Sequence, residues 1–239
     1  MRKIIFIRRK YLYLIFSLLV GLPIIIFLFI YLPSEPANVF LDPKSGIIVI
    51  DPGHGGVDGG TTKEGIFEKD INLDISQKLK LLLVQKGYTV IMTREKDISL
   101  EKLDNSQRSR HMRDLNARAN IINSSNAQLF LSIHVNCNDK KPSTDGSIVF
   151  YNDKFEQNKA LAYSLQRALN NIIVNEKKRT VHDPIKTKYF ILNYSDIPGA
   201  IVETAFISNM KERKLLLNET FREEIAEAIA TGVEQYLND

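Results

Sequence analysis

Short apolar runs alternating with longer amphipathic ones constrain this chain more than any other feature. Residues 46–50 (GIIVI), 128–133 (QLFLSI) and 200–202 (AIV) are nearly uninterrupted by polar side chains, and each leads to a residue able to do chemistry. The first runs through Asp51, Pro52 and Gly53 to His54, the second to His134, the third to Glu203. Unbroken apolar runs of this length read as strands buried on both faces. Between them, residues 70–86 place Ile71, Ile75, Leu79 and Leu82 on one helical face before Gly87. Residues 109–123 and 155–174 read as further helices, the latter with Leu161, Leu165, Leu169 and Ile172 on one side. Helices at 212–217 and 221–237 close the chain, and further strands are expected at 88–92, 147–151 and near 189–192. The loops at 93–107 and 175–188 are polar and charged. This alternation predicts an α/β single domain: a twisted, mainly parallel sheet of about six strands with helices on both faces. In an open sheet of that kind, ligands collect beyond the carboxyl ends of the strands. Two imidazoles and a carboxylate would therefore face one crevice.

The amino terminus carries a different signal. Residues 11–32 hold 22 consecutive uncharged residues, 16 of them Leu, Ile, Val or Phe. A helix of that length spans roughly 33 Å, enough for a hydrocarbon layer of about 30 Å. Arg2, Lys3, Arg8, Arg9 and Lys10 precede it and no acid occurs before Glu35. The expectation is a cytoplasmic basic tail (1–10), a transmembrane helix acting as signal anchor (11–32), a Pro-containing linker (33–45) and an extracytoplasmic domain (46–239). Secretion after cleavage of a signal peptide is the alternative, although the apolar stretch exceeds the usual 7 to 15 residues. The tail also accounts for the net charge of +4: without its five cations, Lys plus Arg falls from 32 to 27 against 28 acids. A domain so nearly neutral offers no electrostatic basis for binding nucleic acid. The single cysteine, Cys137, forms no internal disulfide and reads as a packing residue.

A fourth reactive candidate is Glu68, which follows the glycine-rich stretch 54–60 (HGGVDGG) at the start of a helical pattern. Two histidines and one carboxylate with an open position describe a catalytic zinc site, and the remaining carboxylate can serve as general base. Blander readings exist for each residue. His54 could be a turn histidine, His134 a satisfied core histidine, and Glu68 a first-turn glutamate set against the helix dipole. Glu203 needs a role or a partner, because an unpaired buried carboxylate is costly. Arg118 could brace the helix beneath the site or pair with an acid. Asn136 could orient His134, while His111 reads as solvent-facing. His182 shares a charged loop with Arg179 and Lys186 that could meet substrate carboxylates.

The runs IVIDPGHGGVDGG at 48–60, Glu68 with its apolar helix, Arg118 and Asn123 ahead of QLFLSIHVN at 128–136, and IPGAIVETAFISN at 197–209 resemble one family. It is that of the zinc-dependent, type 3 N-acetylmuramoyl-L-alanine amidases, and the resemblance spans about 46–239. It implies hydrolysis of the amide joining N-acetylmuramic acid to the peptidoglycan stem peptide. It also implies one zinc ion held by His54, Glu68 and His134, with Glu203 as catalytic glutamate. The short layout behind a hydrophobic anchor is most similar to the sporulation and germination amidases of the spore cortex. A peptidoglycan substrate, an extracytoplasmic lipoprotein partner and the outer forespore membrane side of a spore former are the corresponding expectations. Ala205 stands where the family usually has glycine, and Met210 where proline often opens the next helix. Only nine residues, 137–145, follow the strand of His134 before the next, too few for the long autoinhibitory helix of some members. A cell-wall zinc peptidase or deacetylase, or a non-catalytic peptidoglycan-binding scaffold, are the alternatives.

Overall fold

A computed structural model of the chain describes residues 9–21, 27 and 46–238. Contacts divide the chain into two compact units, residues 1–40 and residues 41–239. The first contains helix α1 (Arg9–Phe16) and a π-helical turn, Ser17–Gly21. Residues 22–26 and 28–32 of the expected membrane span lie outside the described residues, as do tail residues 1–8 and the linker at 33–45. Among the described residues, no helix is long and apolar enough to cross a membrane.

The second unit runs β1 (Ile47–Pro52), β2 (Thr62–Lys63), β3 (Ile66–Phe67), α2 (Glu68–Gln85), β4 (Thr89–Met92), α3 (Arg110–Asn123), β5 (Leu129–Asn136) and β6 (Ile148–Tyr151). It continues with α4 (Glu156–Leu169), β7 (Ile173–Val174), β8 (Lys177–Lys178), β9 (Ile185–Lys186), α5 (Phe190–Tyr194), β10 (Gly199–Phe206), α6 (Met210–Leu216) and α7 (Glu219–Asn238). Six strands form one sheet in the order β4-β1-β5-β10-β6-β9. The pairs from β4 to β10 are parallel, β6 runs antiparallel to β10, and β9 is parallel to β6. β1, β5 and β10 therefore end along one edge.

Side chains alternate between the faces of a strand, so the apolar runs feed two cores at once. Ile48, Ile50, Leu129, Leu131, Ile133 and Val202 face α2, α4 and α7, where Ile75, Leu79, Leu165 and Ile229 are fully buried. Val49, Phe130 and Ile201 face the opposite way, against Ala119 and Ile122 of α3 and Ile191 and Leu192 of α5. Helices cover both faces, as the alternation predicts.

Three local expectations are corrected. Residues 189–192 are not a strand: Phe190–Tyr194 is a helix, with Ser195 Oγ donating to the Ile191 carbonyl at 2.6 Å. A short apolar run does not by itself distinguish strand from buried helix. The sixth strand is instead Ile185–Lys186, an exposed edge just after Pro184, a position where proline disturbs no ladder. The helix expected over 155–174 stops at Leu169, because Ile173–Val174 turns back to pair with Lys177–Lys178 as a hairpin.

Candidate metal centre and the residues around it

At the carboxyl end of β1 the chain leaves the sheet, and buried charge holds its course. Arg118 from α3 donates through Nη1 to Asp51 Oδ1 and the Pro52 carbonyl, both at 2.7 Å, and through Nη2 to the His54 carbonyl at 2.5 Å. Arg94, itself 2% exposed, donates through Nε to the Pro52 carbonyl and through Nη2 to the Gly53 carbonyl, both at 2.9 Å. Three successive carbonyls are thus gripped by two guanidinium groups. The rigid fork of an arginine suits this role better than the point charge of a lysine. Burial alone would raise the Asp51 carboxyl, but the Arg118 charge and hydrogen bonds from Thr93 and Ser132 hold it below the usual carboxylate range. Within this brace His54 adopts a φ of 61°, a left-handed backbone that non-glycine residues take up only under constraint.

The glycine-rich loop then builds the seat for Glu68. Its Thr61 and Gly59 carbonyls accept from the backbone N–H groups of Glu68 and Lys69, satisfying the open end of α2. Glu68 Oε2 accepts from Thr61 N at 2.8 Å, and Oε1 from Val135 N at 3.1 Å. Gly60 has a φ of +66°, and a Cβ there would sit 2.7 Å from both Glu68 Oε2 and His54 Cδ2, so only glycine lets the loop close this tightly. Gly53 is bare for a similar reason: a Cβ would lie 2.2 Å from His134 Cε1.

Three donors converge at this point. His54 Nε2 lies 3.2 Å and His134 Nδ1 3.0 Å from Glu68 Oε1. The ligand atoms of all three residues fall within 4.8 Å of one another. Two imidazole nitrogens and a carboxylate oxygen, one largely buried and two half-buried, are a donor set that a divalent transition metal accepts. His54 Nδ1 bonds Asp58 Oδ2 at 2.9 Å, which turns Nε2 toward Glu68. Such a carboxylate behind an imidazole fixes its tautomer and strengthens it as a ligand. Burial disfavours charge on His54, yet Glu68 and Asp58 overcome this and raise its pKa to about 9. Burial likewise opposes charge on Glu68, and the two histidines overcome it, holding Glu68 well below the usual carboxylate range.

Glu203 is directly in register with His134 across the β5–β10 pair, and with Ile148 on β6. Its residue surface is only partly covered, but Oε2 is inaccessible and has no hydrogen-bond partner among the described residues. Loss of hydration raises its pKa to about 7, with Glu68 adding to the rise and the histidines opposing it. A carboxylate oxygen buried without a partner beside a metal-type cluster costs stability, which makes Glu203 a candidate functional group.

The other residues singled out in the sequence fall elsewhere. Arg118 both braces and pairs, also reaching Asp114 Oδ2 at 2.6 Å. Asn136 turns its Oδ1 to its neighbour Cys137 N at 2.8 Å, not to His134. His182 sits against Gly146 with Nε2 at 2.7 Å from the Asp145 carbonyl, a structural tie in the loop. Arg179 is buried against Glu212 at 2.6 Å, Lys186 pairs with Asp153 at the sheet edge, and His111 is exposed. Asp58 and Arg94 are the contributors that sequence reasoning missed. The four-residue step from His54 to Asp58 within one glycine turn was the available signal for the first.

The sequence profile of the N-acetylmuramoyl-L-alanine amidases matches residues 48–235. The germination-specific N-acetylmuramoyl-L-alanine amidase of Bacillus subtilis is 34% identical over 229 residues, covering 93% of this chain and 94% of that protein. Among solved structures, the CwlD amidase of Clostridioides difficile, in complex with the GerS lipoprotein, is 37% identical with a TM-score of 0.72, covering 81% of this chain and 98% of that one. The AmiC2 amidase of Nostoc punctiforme superposes with a TM-score of 0.68 at 29% identity, over 81% of this chain and 98% of that one. The chain belongs to the N-acetylmuramoyl-L-alanine amidase family of hydrolases.

Proposed function

We propose that this chain hydrolyses the amide between N-acetylmuramic acid and L-alanine in peptidoglycan, using one zinc ion held by His54, Glu68 and His134. The observation that carries this reading is the convergence of those three donors on one point with Glu203 in register beside them. When bound, zinc would supply a Lewis acid and bring the pKa of a coordinated water down to about 7. Glu203, with its pKa raised to about 7, is matched to take a proton from attacking water near neutral pH. As the carbon–nitrogen bond breaks, the protonated Glu203 returns that proton to the departing alanine nitrogen. The products are a free lactyl carboxylate on the sugar and a stem peptide with a free amino terminus. Asp58 holds the His54 tautomer throughout, and the buried arginines keep the loop backbone from moving.

The same reading extends to location. The uncharged apolar run at 11–32 behind five cations supports a membrane anchor with the tail inside and the catalytic domain outside, beside its polymer. The germination-specific relative supports a role in cortex maturation, where peptide-free muramic acid would feed a deacetylating and lactam-forming step. The lipoprotein bound to the similar Clostridioides amidase supports an extracytoplasmic lipoprotein partner for this chain.

Mass spectrometry of peptidoglycan digested by the zinc-loaded chain tests the activity. Free lactyl ends together with intact stem peptides beginning in alanine are expected. Cuts within the stem would establish a peptidase, loss of acetyl groups a deacetylase, and an unaltered polymer a binding scaffold.

A further inference from the structure

A cavity of about 630 Å³ lies between the β7–β8 hairpin, the loop before β6 and α6. Lys177 and Lys178 of the hairpin and Lys211 and Lys214 of α6 line it, and all four are exposed. Elsewhere in the domain Lys63, Lys69, Lys78, Lys80, Lys86, Lys154 and Lys186 each pair with a carboxylate, whereas Lys96, Lys102, Lys140, Lys141, Lys159 and Lys188 are, like these four, without one among the described residues. What sets these four apart is that they gather in one concavity. Two carboxylates share the cavity wall, and one of them is already neutralised: Glu212 is buried against Arg179 at 2.6 Å. Asp145 alone offsets four ammonium groups. In a domain (46–239) with 26 cations and 26 acids, unpaired cations gathered in one concavity focus a positive potential there.

The cavity's floor is fastened to the catalytic edge. Glu212 accepts from Gly146 N at 3.0 Å, from Phe206 N at 2.6 Å and from Arg179 Nε at 2.8 Å, tying all three walls together. Arg179 Nη2 also donates to the carbonyl of Thr204, the residue after Glu203. Asp145 lies on the connection that leaves β5 after His134, and α6 follows β10 after Glu203. The basic cavity therefore adjoins the edge of the sheet where His134 and Glu203 stand.

We propose that this cavity is a subsite for the carboxylates of the stem peptide, holding the departing half of the substrate while its first amide lies at Glu203. The proposal rests on the amidase reading, whose leaving group is a peptide with a terminal carboxylate. An extended stem of four or five residues reaches roughly 13–18 Å, the scale of a neighbouring groove. Lysine heads on flexible stems suit carboxylates presented at more than one stem length.

The test compares the full chain with the fourfold variant Lys177→Ala, Lys178→Ala, Lys211→Ala, Lys214→Ala and with its fourfold Lys→Arg counterpart. Substrates are a disaccharide–stem muropeptide with free carboxylates and the same compound with them amidated. The alanine variant is expected to raise KM for the free-carboxylate substrate about tenfold with kcat within twofold. It leaves the amidated substrate unaffected, and the arginine variant restores the wild-type KM. Titration of the isolated stem peptide onto each protein, at low and high salt, reads the subsite without turnover. Loss of salt-sensitive binding in the alanine variant supports the proposal even if no substrate is cut, an outcome that would sink the amidase reading alone. Unchanged KM and unchanged peptide binding in the alanine variant overturn the proposal. So does a variant that loses binding of poly(glycerol phosphate) while keeping that of the stem peptide.

Discussion

Replacing Arg118 with methionine should be among the most damaging single changes that leave all four reactive side chains in place. The guanidinium is 3% exposed and its partner Asp51 2%, so neither charge can fall back on water. Arg118→Met keeps much of the volume but strands the Asp51 carboxylate with only Thr93 and Ser132 as donors. It also frees the His54 carbonyl and leaves the Pro52 carbonyl to Arg94 alone. Removing one partner of a buried pair costs about 3–5 kcal/mol, a large share of the roughly 5–15 kcal/mol that holds a domain folded. At about 2–4 °C per kcal/mol for a domain of this size, melting should fall on the order of 6–20 °C. The pH dependence should change as well. With Arg118 present the folded pKa of Asp51 is depressed, so its contribution exists above the unfolded carboxylate value and is lost as pH falls. Without Arg118, burial dominates and raises that pKa, so the variant should instead gain stability on moderate acidification. Thermal melts of the full chain by circular dichroism check both points. The double variant Asp51→Asn with Arg118→Met should recover at least half the loss. A single variant melting within 2 °C of wild type, or a double variant no better than the single, would refute the brace.

Other consequences follow from the same geometry. Asp58→Asn removes the carboxylate behind His54 and should weaken zinc binding about 10- to 100-fold in a competitive chelator titration; unchanged affinity would show that His54 is oriented by something else. Glu203→Gln should retain zinc yet lose about 10²- to 10⁴-fold in kcat, with the acidic limb of the kcat/KM profile disappearing; a retained limb would assign it to another group. His54 has a folded pKa raised to about 9, so in the chelated chain its stabilising contribution is complete below about 6.5 and lost as pH rises through 9. Zinc binding at pH 7.5 should accordingly release protons, measured by calorimetry in buffers of different ionisation enthalpy. Heats independent of buffer would contradict the shift.

Much of this site was legible because its chemistry sits where strands end. The apolar runs before His54, His134 and Glu203 fix β1, β5 and β10, and parallel strands must bring their carboxyl ends together. Glu68 could be placed because a glycine-rich stretch followed by a helical pattern marks a backbone approaching the helix start. Side-chain partnership was much less legible. Arg94 lies in a segment that reads as polar loop, and its burial follows only from how β4 delivers the chain beneath the Pro52 and Gly53 carbonyls. Arg179 reads as part of a charged loop that could meet substrate carboxylates, yet the need of Glu212 for a buried counter-charge draws it inside and leaves Lys177 and Lys178 at the surface. The run at 189–192 was misread because its burial comes from the α3 side of the sheet, which imposes neither a period of two nor one of 3.6 on so few residues.

The central claim is that one zinc ion sits among His54, Glu68 and His134, and X-ray absorption at the zinc edge of the stoichiometrically loaded chain measures it most directly. The account predicts a shell of nitrogen and oxygen at about 2.0–2.1 Å with the multiple-scattering signature of two imidazoles. A sulfur neighbour at about 2.3 Å, drawn from Cys137, or a shell lacking imidazole would contradict it.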